Sequence, residues 1–338
     1  MKTLILCNRL SRLSTILKKI SGPLRYIDLL ENQESLRIRG YLYQSVNTQE
    51  LDRSTLFRER NERFRQKYIA FMGQVNARNH SLHWWAMSFT DKNPLITPLC
   101  RNTFQFLLIS ELLDCDDRPL LVITDSTDLA AQAKASATKE GFTTIDAIDA
   151  PGRFKRLLKR YTPVGIIKAS LRTSIMWSLS RRHRPIPNMR DGHIVITTIT
   201  HPNSFTPPQD YNDAYFGGLI EHVTMSEHKP LIFAGVIERP FHQLKKLQSL
   251  RFGVPIVPME SCLPLKNLVA CTLQALWIYA RPPKLRGPIE IDGLDVSCLL
   301  RRSIKDARNS GDFLLNLLVY YSARCLAQSI RVARCLYP

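Results

Sequence analysis

Between Pro151 and Arg190 the sequence contains no acidic residue. That absence excludes burial of the stretch as a unit, because its eleven Lys and Arg would lose their hydration with no carboxylate to answer them. Other absences narrow the field. The eight cysteines form no Cys-x-x-Cys pair, so no zinc site is expected; they read as free thiols in a reducing compartment. No uncharged apolar run reaches the ~18–20 residues of a membrane span: Arg9 and Arg12 interrupt the N-terminal run, and Lys168 and Arg172 divide the series from Val164 to Leu179. No signal-cleavage pattern follows Met1–Leu17. The chain is therefore expected in the cytoplasm, with peripheral contact at the inner face of the cell membrane. A Gly-x-Gly-x-x-Gly fingerprint, a P-loop and a Gly-x-Ser-x-Gly elbow are all missing, so the dinucleotide, nucleoside-triphosphate and esterase readings lack their motifs. No cofactor is implied.

What is present is a globular composition with a strong electrostatic bias. The 338 residues are 44% hydrophobic, and 47 Lys and Arg against 29 Asp and Glu give a formal charge of +18. Eleven of the positive charges lie in the acid-free segment. Such a basic, partly apolar surface suits an anionic partner, and Arg172, Trp177, Arg181, Arg182 and Arg184 are its candidate contacts with an anionic membrane. A nucleic-acid partner rests on charge alone, with no zinc-finger or RNP-like pattern beside it, and is disfavoured.

Periodicity predicts an α/β protein with an open, mostly parallel sheet flanked by helices. Residues 1–50 read as a first strand, Thr3–Cys7, followed by irregular chain; 51–118 as a helical region; 119–312 as an α/β domain with a basic insert at 151–190; and 313–338 as a C-terminal helix between domains. Asp52 caps a long charged helix over Leu51–Val75 with Leu56, Phe64, Tyr68, Ile69 and Met72 on its buried stripe. The plainest signal is Leu120–Thr124, a short continuous apolar strand, then a helix capped by Ser126 or Thr127, then Gly141 and a returning strand at Thr143–Ile145. Ile194–Thr198 and Ile232–Ala234 are expected in the same sheet, with Leu263–Tyr279 a long apolar helix.

Ligands of open α/β sheets collect beyond the carboxyl ends of the strands. His201 and Asp213 are the candidate catalytic residues there. His201 is either a base near neutrality or a histidine tied to the backbone, and Asp213 either a base or a helix cap. Asp125, Asn203, Ser204, Glu238 and Glu260 stand in the same loops as candidate substrate ligands. Trp84 and Trp85 point about 100° apart on a helix, so both cannot enter one core face. One stacks on a ligand, or the pair wedges between domains; Ser88, Asp91, Lys92 and Asn93 form the polar turn that follows.

His83-Trp84-Trp85 followed by Ser88–Pro94, together with the strand at Ile196 and the Asp213-Ala214-Tyr215-Phe216-Gly217-Gly218-Leu219 run, resembles a family of bacterial cell-surface polysaccharide biosynthesis proteins. The resemblance implies a glycosyltransferase-like activity, a nucleotide-sugar donor, a lipid-linked saccharide acceptor, and the fold of the N-terminal half of a GT-B-like enzyme. It also implies a second, donor-binding domain beyond Pro338. On that basis the chain is expected to be the acceptor half only, truncated or completed by a separately encoded C-terminal domain. The alternative is a non-catalytic α/β protein associating with a membrane surface or partner.

Overall fold

The computed structural model describes residues 2–148, 163–181, 192–236 and 253–336, except 19, 21, 31, 45–46, 91–97, 201–203, 207–209, 214 and 225–228, and it adds 242, 244 and 246. The chain forms two compact units. The first takes residues 1–162 and 282–307, the second 163–281 and 308–338.

The first unit opens with β1 (Thr3–Cys7), α1 (Leu10–Leu17), β2 (Leu24–Asp28), α2 (Gln33–Tyr43) and β3 (Thr48–Glu50). α3 (Arg53–Arg78) follows, started by Asp52, whose carboxylate accepts from the Ser54 and Thr55 amides. Then come α4 (Leu82–Trp85), a 3₁₀ turn at Ser88–Thr90, α5 (Pro98–Cys115), β4 (Leu120–Ile123), α6 (Thr127–Lys139) and β5 (Thr143–Ala147). Ser126 caps α6 through the Leu129 amide, and Gly141 ends that helix at a φ of 78°, a conformation that suits glycine. The five strands are parallel in the order β3-β2-β4-β1-β5. β1 therefore lies between β4 and β5. Ile5, Tyr26, Leu121 and Ile123 face Leu13 and Ile16 of α1 and Ile38 and Leu42 of α2. The alternate residues Leu4, Leu6, Ile27, Leu120 and Val122 are equally buried on the other face, where α5 and α6 lie.

The second unit begins with α7 (Val164–Ser180) and β6 (Gly192–Thr200). A small antiparallel hairpin of β7 (Phe205–Thr206) and β8 (Asp210–Tyr211) leads to α8 (Leu219–Thr224), β9 (Lys229–Val236), β10 (Ile256–Pro258) and α9 (Leu265–Ala280). The chain then returns to the first unit for the hairpin β11 (Glu290–Ile291) and β12 (Leu294–Asp295), turned on Asp292 and Gly293. Both have positive φ, 53° and 77°, as a tight Asp-Gly hairpin turn requires. α10 (Ser297–Asn309), α11 (Gly311–Ser329) and β13 (Arg331–Leu336) complete the chain's elements. The second sheet is also fully parallel, in the order β10-β9-β6-β13. Ile194, Ile196 and Ile232 pack on Ile220 and Val223 of α8, while Val195, Leu231 and Phe233 pack on Leu326 and Ile330 at the end of α11.

Four expectations are corrected here. The strands at Leu121 and Ile194 belong to two parallel sheets, because β2 and β3 complete the first sheet and β10 and β13 the second. The N-terminal fifty residues are a full strand-helix-strand-helix-strand run; Arg25 and Asp28 inside β2 hide that strand from a hydrophobicity reading. The second α/β unit is part of this chain, so the acceptor-half-only fold, the truncation and the separately encoded C-terminal domain are withdrawn. The final helix stops at Ser329, and the chain then runs parallel to β6 as a strand.

Candidate functional site

In the first sheet β2 and β4 are neighbours, yet they send the chain to opposite faces: β2 into α2 on one side, β4 into α6 on the other. Such a switch point opens a crevice beyond the carboxyl ends of the two strands. A cavity of about 130 Å³ lies there. Leu29 and Asn32 line it from the β2 side, Thr124, Asp125 and Ser126 from the β4 side, and Arg101 and Gln105 from α5.

Local bonding holds the walls. Asn32 caps α2, its side-chain oxygen accepting from the Glu34 amide at 2.9 Å. The Ser126 amide donates to Thr124 Oγ1 at 3.1 Å, and its hydroxyl accepts from the Leu129 amide at 3.2 Å and donates to Asn102 Oδ1 at 3.1 Å. These groups are used by the protein. Arg101, Gln105 and Asp125 are different. Among the described residues none of the three side chains has a hydrogen bond or ion pair, although Gln105 is only 5% exposed. Arg101 and Gln105 sit one turn apart on α5, so both reach the same crevice. The site thus offers a solvent-exposed cation, an amide and an exposed carboxylate that no other described residue engages. Its chemistry fits a ligand with an anionic end and hydroxyl groups.

A groove of about 700 Å³ between α3 and α5 in the same unit is larger, but most of its charges are already matched. Arg60 holds both oxygens of Glu111 at 2.8 and 2.6 Å, and Lys67 holds Asp292 at 2.6 Å. In the smaller crevice Arg101, Gln105 and Asp125 are left without partners among the described residues.

In the second unit, Arg172 of α7 donates to the Val236 carbonyl at 3.1 Å, at the carboxyl end of β9. Glu260, just beyond β10, has a buried Oε2 with no partner among the described residues. Burial pushes its carboxyl above the usual range, and the nearby Arg172 charge only partly opposes that.

The structure places the other sequence-derived candidates as follows. Trp84 is fully buried, its Nε1 donating to Asn76 Oδ1 at 2.9 Å with Phe89 packed edge-on at 5.2 Å, whereas Trp85 is half exposed. Ser88 lies in the 3₁₀ turn. Asp213 is buried; it accepts from the Tyr211 hydroxyl at 2.7 Å and from the Tyr215 and Phe216 amides at 2.9 and 3.0 Å. The Ser204 carbonyl accepts from the Asn212 amide, so Ser204 and Asp213 share the β7–β8 hairpin region. Trp177 Nε1 donates to the Leu263 carbonyl at 2.7 Å and Arg181 covers its ring at 4.5 Å. Asp91, Lys92, Asn93, Arg182, Arg184, His201, Asn203 and Glu238 lie outside the described residues. Asp125, Trp84, Trp85 and Ser88 belong to the first unit, and Ser204, Asp213 and Glu260 to the second. Sequence reasoning missed Asn32, Arg101 and Gln105. The only signal was the i, i+4 spacing of the last two, which means nothing until α5 is laid beside β4.

Compared with protein-family models, curated proteins and solved structures, the chain matches none of them. The motif resemblance to polysaccharide biosynthesis proteins thus finds no matching relative, and its half-protein reading fails on the two complete sheets. The glycosyltransferase-like activity, the nucleotide-sugar donor and the lipid-linked acceptor inferred from it are withdrawn with it.

Proposed function

We propose that the first unit binds a small hydroxyl-bearing phosphate ester at the β2–β4 crevice. The observation that carries this reading is the set of polar side chains lining it, above all Arg101 and Gln105, which have no protein partner among the described residues. Arg101 suits a phosphate oxygen through its planar fork, and Asp125 accepts from ligand hydroxyls. The amino end of α6 adds a partial positive charge on the same side. At about 130 Å³ the cavity takes the head of a ligand, well under the ~300–1,000 Å³ of a whole-ligand pocket.

Calorimetric titration with ribose 5-phosphate, glycerol 3-phosphate and inorganic phosphate, with ribose and glycerol as neutral controls, tests this. The phosphate esters should bind more tightly than the neutral controls. Arg101→Ala should weaken ester binding about 10–100-fold, the loss of a charged hydrogen bond. Gln105→Leu should weaken it by less. Equal affinity of the Arg101→Ala variant and the unaltered chain would sink the proposal.

A further inference from the structure

α7 and α9 pack against one another in the second unit, with Ser170 Oγ and Thr272 Oγ1 3.5 Å apart at their contact. Each helix keeps its core residues inward: Ile166, Ala169 and Met176 on α7, Leu268, Cys271 and Ala275 on α9. Each also carries a second apolar stripe that is exposed. On α7 it is Val164, Ile167, Leu171 and Ile175; on α9 it is Leu265, Val269, Leu273 and Trp277, spaced at helical intervals along one side. Leu171 is 64% exposed and Leu273 61%. Single exposed leucines are ordinary, but two parallel rows on adjoining helices are an interaction surface.

The charges beside these rows choose the occupant. Neither helix contains an acidic residue. Lys168 and Lys266 lie among the apolar rows, exposed and without a partner among the described residues. A second copy docked face to face would bring lysines against lysines with no carboxylate to relieve them. An anionic lipid surface answers both features at once, since acyl chains accept the apolar rows and headgroup phosphates accept the lysines. No described helix is long and apolar enough to cross a bilayer, so contact is along the surface.

We propose that the α7–α9 face docks onto an anionic lipid bilayer, with the two apolar rows entering the headgroup layer and Lys168 and Lys266 meeting lipid phosphates. The contact residues differ from those suggested by composition. Trp177 and Arg172 are engaged inside the unit, and Leu171, Leu273 and Trp277 take their place. The inference is independent of the phosphate-ester site, which lies in the other unit.

Flotation of the full chain with phosphatidylcholine vesicles, with and without phosphatidylglycerol, tests the proposal. Binding should need the anionic lipid and weaken with salt. Lys168→Glu with Lys266→Glu should lower the partition constant at least about tenfold, as should Leu171→Glu with Leu273→Glu. Brominated lipid should quench tryptophan emission in the unaltered chain, and Trp277→Phe should remove most of that quenching. These substitutions sit on exposed positions, and circular dichroism confirms that each variant is folded. Equal recovery with neutral and anionic vesicles overturns the proposal, as does recovery unchanged by the paired substitutions. So does a concentration-dependent dimer in sedimentation that Leu273→Glu dissolves, which would assign the face to a second copy.

Discussion

Glu260 shows how one residue sets a pH response. Its carboxyl is buried, one oxygen has no partner among the described residues, and its pKa stands above the ordinary value of 4.5. A folded-state pKa above the unfolded one means that the native state holds the proton more tightly. The stabilisation is then fully present below about 4.5 and is lost as pH rises toward the folded value. Glu260→Gln keeps the shape of the neutral acid and cannot ionise. In urea unfolding it should match the unaltered chain below that pH and exceed it at neutral pH. A difference that stays constant across the range would show that the carboxyl does not titrate this way. Trp84 makes the opposite kind of contribution. Its indole N–H satisfies Asn76, whose amide in turn donates to the Thr90 carbonyl at 3.1 Å, tying α3 to the 3₁₀ turn. Trp84→Phe leaves the Asn76 oxygen buried and unpaired, and should cost about 1–3 kcal/mol in chemical denaturation.

At the scale of elements, glycine separates two kinds of helix contact. A Cβ on Gly165 of α7 would stand 2.2 Å from the Asn309 carbonyl oxygen and 3.0 Å from the Gly311 amide. The start of α11 therefore approaches α7 at backbone distance, and only glycine permits it. Gly165→Ala should destabilise the second unit by about 1–3 kcal/mol through overpacking. Gly40, on α2, has nothing within 4 Å of an added Cβ. Gly40→Ala should stabilise by about 0.5–1 kcal/mol, because alanine loses less backbone freedom in a helix. Equilibrium unfolding of both variants gives opposite signs if the close approach is real, and like signs if it is not.

For the molecule as a whole, the chain path matters more than its length. The first unit is assembled from two separate stretches, and the second stretch is bonded into the first. Arg302 of α10 pairs with Asp128 at 2.5 Å, and Gln132 donates to the Asp295 carbonyl at 2.7 Å while accepting from the Leu299 amide at 3.2 Å. A fragment ending at Thr162 contains both α6 partners but none of these contacts, and it uncovers the apolar side against which Leu299 and Leu300 are buried. Such a fragment should bind a hydrophobic dye and unfold without a sharp transition, whereas adding residues 282–307 through a linker should restore cooperativity. A cooperative fragment ending at Thr162 would show that the second stretch is dispensable.

Much of the local structure was already decided by neighbouring residues. Leu120–Ile123 had to be a buried strand because four apolar residues run between Pro119 and the polar Thr124-Asp125, and Ser126 and Gly141 had to start and end α6 through a side-chain cap and a left-handed turn. The charged helix after Asp52 was legible in the same way, although Ile69, expected in its buried stripe, is 39% exposed. The division into two sheets was not legible, because strand neighbours are chosen by crossovers over distances that periodicity does not encode. The candidate site followed from that choice. Asp125 could be named from its place after a strand, but Arg101, Gln105 and Asn32 meet it only because β2 lies beside β4 and α5 packs on that side. The acid-free segment raised the expectation of an anionic partner. Which of its residues face outward was settled by packing: Trp177 and Arg172 found backbone carbonyls within their own unit, and Leu171 was left at the surface because the core side of α7 was already filled.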